Sequence, residues 1–401
     1  MASKQSSNSH LRGTGGAAPQ HGKQTDKRKT ITRKPARAKY VPYSYEDTFD
    51  HSIETANENE LRRMIDEQRC AIYATKSTKA GHQMDVDVFP EFTHLPSYAQ
   101  REPTNRDAQR NLNDKNSRRE CERRVNENFS EEDVWETLSY YDAQVPKSME
   151  EAQRNIANYV RRVQYARKKA GLPPAKVVKV TDWTKNGRKV HVHHHVVISS
   201  GLPMEKMLAL WTLGRKKEIR QLELDENGLS GLSNYITKPH ASDTEDIKHK
   251  KKWSASKNLR VPRPRKNHQT FRRRRVEKIA TQPGLLCAEM EQKFSEYWFE
   301  RGDVKFNARV GLFYLSAKMR EKVQAGDMVR ITGRQEMLET LPPQTLAKIK
   351  KQPGGVFRVL CVDYEAGAGR EVAFLQIARS GEPLKMPARA CIVTDTKGRF
   401  T

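Results

Sequence analysis

The sequence predicts an α+β protein built on an antiparallel sheet with helices on one face. Short runs of alternating apolar and polar residues recur between residues 129 and 240. A segment with helical apolar spacing separates the first two of these runs. The dipeptide Asn186-Gly187, the strongest short hairpin signal, lies between the second and third.

Each element has a local reason. Residues 134–140 (VWETLSY) alternate as a half-buried strand does. Ser148 followed by Glu151 is a capping-box signature. Behind it Ala152, Ile156, Tyr159, Val160 and Val163 recur at helical spacing, and Gly171 supplies the stop. Residues 176–183 are β-branched, and residues 190–199 form the strand beyond the Asn-Gly turn. Residues 203–213 read as a helix opened by Pro203, with Met204, Met207, Leu208 and Trp211 on one face. Residues 217–224 supply a fourth strand, and residues 230–238 a last short helix ended by Pro239. The order β-α-β-β-α-β-α, with its central hairpin, suggests a ferredoxin-like sheet.

The 401 residues carry a net charge of +25, with 36% hydrophobic and 31% charged side chains. That balance suits compact domains joined by basic segments, and it points to an anionic partner, nucleic acid first. No apolar run is long enough to span a bilayer, and the start of the chain has no apolar core of a secretory signal. The five cysteines are scattered, with no CxxC pair, which argues against a zinc ribbon or a disulfide framework and suits a reducing cytoplasm.

Composition divides the chain. Residues 1–45 read as a disordered basic arm. Residues 46–128 read as a helical and irregular region, with one helical stretch at 52–69 and a very polar one beginning near residue 104. Residues 129–247 carry the sheet just described. Residues 248–284 read as a basic linker, in which Lys250, Lys251, Lys252, Arg272, Arg273, Arg274 and Arg275 are candidates for phosphate contacts. Residues 285–401 open with a helical stretch at 285–300. Short strand candidates follow (AGDMVRITG, GGVFRVLCVDYE, GREVAFLQI, MPARACIVTD). They suggest a mostly-β accessory domain of small-barrel type, folding alone and not needed for chemistry on the rest of the chain.

Two groups of residues carry chemistry. In KVHVHHHVVIS, side-chain alternation puts His191, His193 and His195 on one face. Val192, His194, Val196 and Ile198 share the other, which includes the apolar tail and should face the core. Two imidazoles at i and i+2 on a sheet surface can share one divalent cation. The second group is Tyr235-Ile236-Thr237-Lys238. Tyr235 and Lys238 are helical neighbours, and a lysine there can lower a phenol pKa or neutralise a phosphate.

From residue 105 to 265 the chain resembles the HUH endonucleases. Within that superfamily it is similar to the single-tyrosine replication-associated proteins of plasmids, phages and integrated elements. The stretches that carry the resemblance are NLNDKNSRRECERRVNENF, WETLSY, NYVRRVQ, KVTDWTKNGRKVHVHHHVVIS, LWTLG, GLSGLSNYITK and KKWSASKNLRVPRP, in that order. The resemblance implies a metal-dependent nickase that starts rolling-circle replication, leaving a 5′-phosphotyrosine and a free 3′ hydroxyl. It implies His193 and His195 as ligands of Mg²⁺ or Mn²⁺, with Asp182 as the third where the family commonly has Glu. It implies Tyr235 as nucleophile and Lys238 as its basic partner. His194 stands where the family has a hydrophobic residue, and His191-Val192-His193 is a second literal match, so His191 is an alternative ligand.

Single-stranded DNA at a replication origin would be the partner, in the cytoplasm of a bacterial host and away from membranes. No GxxxxGK[ST] loop occurs, so helicase and polymerase would come from that host. A relaxase or transposase would use the same chemistry. A catalytically silent nucleic-acid-binding sheet is the other reading, although RNA-recognition sheets display aromatics where this strand has histidines.

Overall fold

The computed structural model describes residue 59 and residues 72–91, 106–186, 189–214, 217–225, 227–232, 253–307, 311–331, 343–351, 355–367, 369–376 and 383–395. The basic arm 1–45, the helical stretch expected at 52–69 (residue 59 apart), most of the helix expected at 230–238, and Lys250, Lys251 and Lys252 lie outside the described residues. The described chain is α+β, with three five-stranded antiparallel sheets.

The sheet expected from the sequence is present. Its strands are β3 (Val134–Ser139), β4 (Val177–Asn186), β5 (Lys189–Ile198), β6 (Lys217–Gln221) and β7 (Trp253–Ala255), in spatial order β6-β3-β5-β4-β7. β4 and β5 form the hairpin, closed by the Asn186–Lys189 pair. β5 inserts between β3 and β4, the split β-α-β arrangement. The crossover helix, Met149–Lys169, starts where the capping box put it. Ser148 accepts from the Glu151 backbone N–H, while the Glu151 carboxylate reaches back one residue further, to the Lys147 N–H. Its Ile156, Tyr159 and Val163 pack on Val134, Leu138, Val196 and Ile198, and the short helix Met204–Ala209 adds Met207 to the same core.

The helices are not confined to one face. The polar segment that begins near residue 104 forms helix α1 (Arg106–Asn128), which packs on the opposite side of this sheet. Its Cys121 and Val125, with Phe129, meet Val178, Val180 and Val197. The helix is polar because its remaining faces are claimed by other polar groups. The Trp253 indole donates to Ser117, and Asn128 exchanges two hydrogen bonds with the Arg260 backbone, each 2.8 Å.

A second sheet crosses the expected domain boundaries. β1 (Ile72–Ala80) and β2 (Gln83–Glu91) form a hairpin inside the region expected to be helical or irregular. Gly81 turns it at φ 58°, where a Cβ would collide with the Asn126 carbonyl of α1. β2 then pairs with β10 (Leu312–Glu321), which pairs with β9 (Tyr297–Asn307). β8 (Arg265–Asn267) pairs with β1. Residues 297–321 therefore complete a sheet begun near residue 72. The expected helix at 285–300 stops at Lys293, and β9 begins at Tyr297.

Of the segment 248–284, the described residues 253–284 are not a linker. They contribute β7, β8 and helix Arg273–Thr281, whose Val276 and Ile279 pack with Phe271 against Val86, Val88 and Leu315. Their few apolar residues fall at core-facing positions, and charge counting alone hides them. α1 also binds this second sheet through ions. Arg119 and Arg123 pair with Asp87 and Asp85 of β2 at 2.9 and 2.7 Å. Burial would raise the Asp85 carboxyl, but Arg123 and Arg119 outweigh it and hold it below the usual range.

The third sheet, β14-β13-β12-β11-β15, uses Met328–Ile331 (β11), Val356–Glu365 (β12), Arg370–Gln376 (β13), Leu384–Pro387 (β14) and Cys391–Asp395 (β15). Among the described residues it is an open sheet, not the closed barrel expected. Arg320 of β10 ties it to the second sheet, donating to the Cys391 and Arg389 carbonyls at 2.9 and 3.0 Å.

Candidate metal centre and cleft

The alternation of β5 decides the roles of its histidines. His194 turns inward and is fully buried. Its Nε2 lies 2.7 Å from the Tyr140 hydroxyl, its Nδ1 lies 3.0 Å from Thr181 Oγ1, and its ring meets Trp211 edge-on. Burial, reinforced by the charges of His193 and Lys179, pushes its pKa down to about 3. His194 is thus a neutral core residue held by hydrogen bonds. That explains how a polar side chain fills a position where an apolar one would serve.

His193 and His195 turn to the other face, their rings 4.8 Å apart and edge to face. The antiparallel register puts Asp182 opposite His193 and Val180 opposite His195. Asp182 Oδ2 lies 3.2 Å from His193 Nε2, and one donor atom from each of Asp182, His193 and His195 falls within 4.8 Å of the others. Donors bound to one cation at about 2.1 Å stand roughly 3–3.5 Å apart, so the set converges with a shift of about 1 Å. Two imidazoles and a carboxylate suit a divalent cation. His191 is exposed, pairs with Thr184 on β4, and is not in this group.

A cleft of about 560 Å³ opens from the histidines across β3 and β6. His193, His195, Thr137, Leu229, Gly231 and Leu232 line it, together with Trp135 and Arg220. The Arg220 guanidinium lies 4.2 Å from the Trp135 indole centroid. Trp135 in turn stands 5.5 Å from the His195 ring.

The wall at 229–232 is gripped by α1. Asn126 Oδ1 accepts the Leu229 N–H at 2.7 Å, and Ser230 Oγ donates to Glu122, which also pairs with Lys318 of β10. Asn126 and Glu122 are one helical turn apart, so a single face of α1 holds both.

No protein-family model, curated protein or solved structure matches this chain. The geometry and the sequence therefore carry the reading of the site.

The structure brings Asp182, His193 and His195 together. Tyr235 and Lys238 lie outside the described residues; the described chain reaches Leu232 in the cleft wall, three residues before Tyr235. Of the basic candidates, Arg272 and Arg274 are exposed, Arg273 pairs with Glu277 and Arg275 with Glu289. Trp135, Arg220, Glu122 and Asn126 were missed by sequence reasoning. The alternation of VWETLSY could have found Trp135 and Thr137, because register with β5 fixes which face they share with His195.

Proposed function

We propose that the protein nicks single-stranded DNA through Tyr235 and so starts rolling-circle replication at an origin. The observation that carries this reading is the three-donor group of Asp182, His193 and His195, of which His193 and His195 line a cleft. Leu232, which lines the same cleft, precedes Tyr235 by three residues in the sequence.

Each part of the reaction has a residue suited to it. The Tyr235 phenol oxygen attacks phosphorus, the bond from phosphorus to the 3′ oxygen breaks, and that oxygen leaves as a hydroxyl after taking up a proton. The phenol loses its own proton, and Lys238 offsets the charge that develops. Asp182, His193 and His195 would hold the cation, and Mg²⁺ or Mn²⁺ bound there would polarise the scissile phosphate. His194, locked on Tyr140 and Thr181, fixes the strand that carries the two ligands. The product keeps a free 3′ hydroxyl for a host polymerase, and a host helicase opens the duplex. A bacterial cytoplasm suits this role. Among the described residues no helix is long and apolar enough to cross a membrane.

The test is incubation of the full chain with a 3′-end-labelled hairpin oligonucleotide and Mn²⁺, followed by denaturing electrophoresis. The reading requires a cut strand and a protein band carrying label. DNA binding without cutting, across a range of origin-like hairpins and with either cation, favours a silent nucleic-acid-binding protein instead.

A further inference from the structure

We propose that Trp135 and Arg220 form a stacking shelf for one nucleobase of a single strand lying in the cleft. The choice of ligand rests on the nuclease reading; the shelf itself rests on the geometry.

The two residues are paired in the β3–β6 ladder. Arg220 is exposed, and its guanidinium covers the indole at 4.2 Å. Both line the cleft that His193 and His195 also line, and the Trp135 and His195 ring centroids are 5.5 Å apart. Among the described residues that line the cleft, Arg220 alone carries a permanent positive charge, while Glu218 and Glu223 carry negative ones. A run of phosphates would be repelled by those carboxylates. A neutral, flat group fits between them, and guanidinium and indole planes are the side chains on which bases stack. The cleft volume suits one nucleotide. A phosphate directed to the two histidines and Asp182 would carry its neighbouring base over Trp135. This arrangement places a strand by the plane of a base while the acidic rim keeps its other phosphates out.

The experiment needs no cleavage. Binding of a short oligothymidylate and of a wholly abasic strand of the same length is measured by anisotropy in excess chelator. The proteins are the full wild-type chain, Arg220→Gln and Arg220→Lys. Wild type should prefer the strand with bases by about five- to a hundred-fold. Both variants should lose most of that preference, and Arg220→Lys should lose it although it keeps the charge. Because the preference is a ratio within each protein, a partly unfolded variant does not imitate the result. Equal binding of the two strands by wild type, or an undiminished preference in both variants, overturns the shelf. Failure of both strands to bind overturns it as well. Base-dependent binding that Arg220 controls, with no covalent adduct in the nicking assay, sustains the shelf and removes the nuclease reading.

Discussion

Asp182 and His193 stand opposite each other in the β4–β5 ladder, the carboxylate oxygen 3.2 Å from the imidazole nitrogen. The pairing makes the carboxylate a partner of the same site as His195, which lies two residues along the same strand face. Asp182→Asn keeps the shape but removes the charge, and should weaken Mn²⁺ binding at least about ten-fold, read by titration calorimetry. Unchanged affinity would remove Asp182 from the ligand set.

The double change His193→Ala and His195→Ala should abolish Mn²⁺ binding and cut nicking by about a hundred-fold or more, while DNA binding persists. The thermal midpoint should fall only modestly, because His193 is part-exposed, although His195 is buried beside Val197 in the core under α1. Full nicking by this variant in excess chelator contradicts the metal role.

Glu136 gives a pH signature unconnected with the cleft. It is fully buried on the core face of β3, both oxygens accepting from Tyr159 at 2.8 Å. Burial pushes its pKa from 4.5 up to about 7, the Tyr159 hydroxyl partly offsetting this. Between those values the folded chain keeps a proton that the unfolded chain releases. Stability therefore falls as pH rises through that window, by about 3 kcal/mol at most. Glu136→Gln should flatten the fall in thermal midpoint between about pH 5 and pH 8. Parallel pH profiles for the two proteins would contradict the assignment.

Much of the first sheet was legible because its signals are local. The capping box at Ser148, the Asn186-Gly187 turn and the alternation of β5 each act within a few residues. They placed β3, β4, β5 and the crossover helix, and they put His193 and His195 on one face. The second sheet was not legible. β2 meets β10 across more than two hundred residues, and nothing in QMDVDVFPE names its partner. The same long-range pairing turned an apparent linker and part of an apparent accessory domain into one layer. α1 was legible as a helix, but its role was not, since ion pairs to Asp85 and Asp87 leave no apolar period to read.

The second sheet changes what truncation should do. A chain ending near residue 280 loses β9 and β10, and so uncovers β2 and the core residues Val86 and Val88. It should be poorly soluble or melt without cooperativity. A chain ending after Gln324 keeps both sheets and should retain a cooperative transition. Circular dichroism of the two decides, and a well-folded shorter chain would show that residues 297–321 are dispensable.

The basic segment divides in the same way. Arg272 and Arg274 are exposed, so Arg272→Gln with Arg274→Gln should weaken binding to all single strands alike and lessen its salt dependence. Arg275→Gln removes the partner of the buried Glu289 and should instead lower stability. Equal effects of both changes on binding and on melting would erase the distinction.

The most direct measurement is mass spectrometry of the digested protein–DNA adduct formed on a hairpin oligonucleotide with Mn²⁺. The account predicts a nucleotide on Tyr235 through its 5′ phosphate, a free 3′ hydroxyl on the released strand, and no adduct from Tyr235→Phe. A nucleotide on Tyr140, Tyr141 or any other residue, or an adduct that survives Tyr235→Phe, would contradict it.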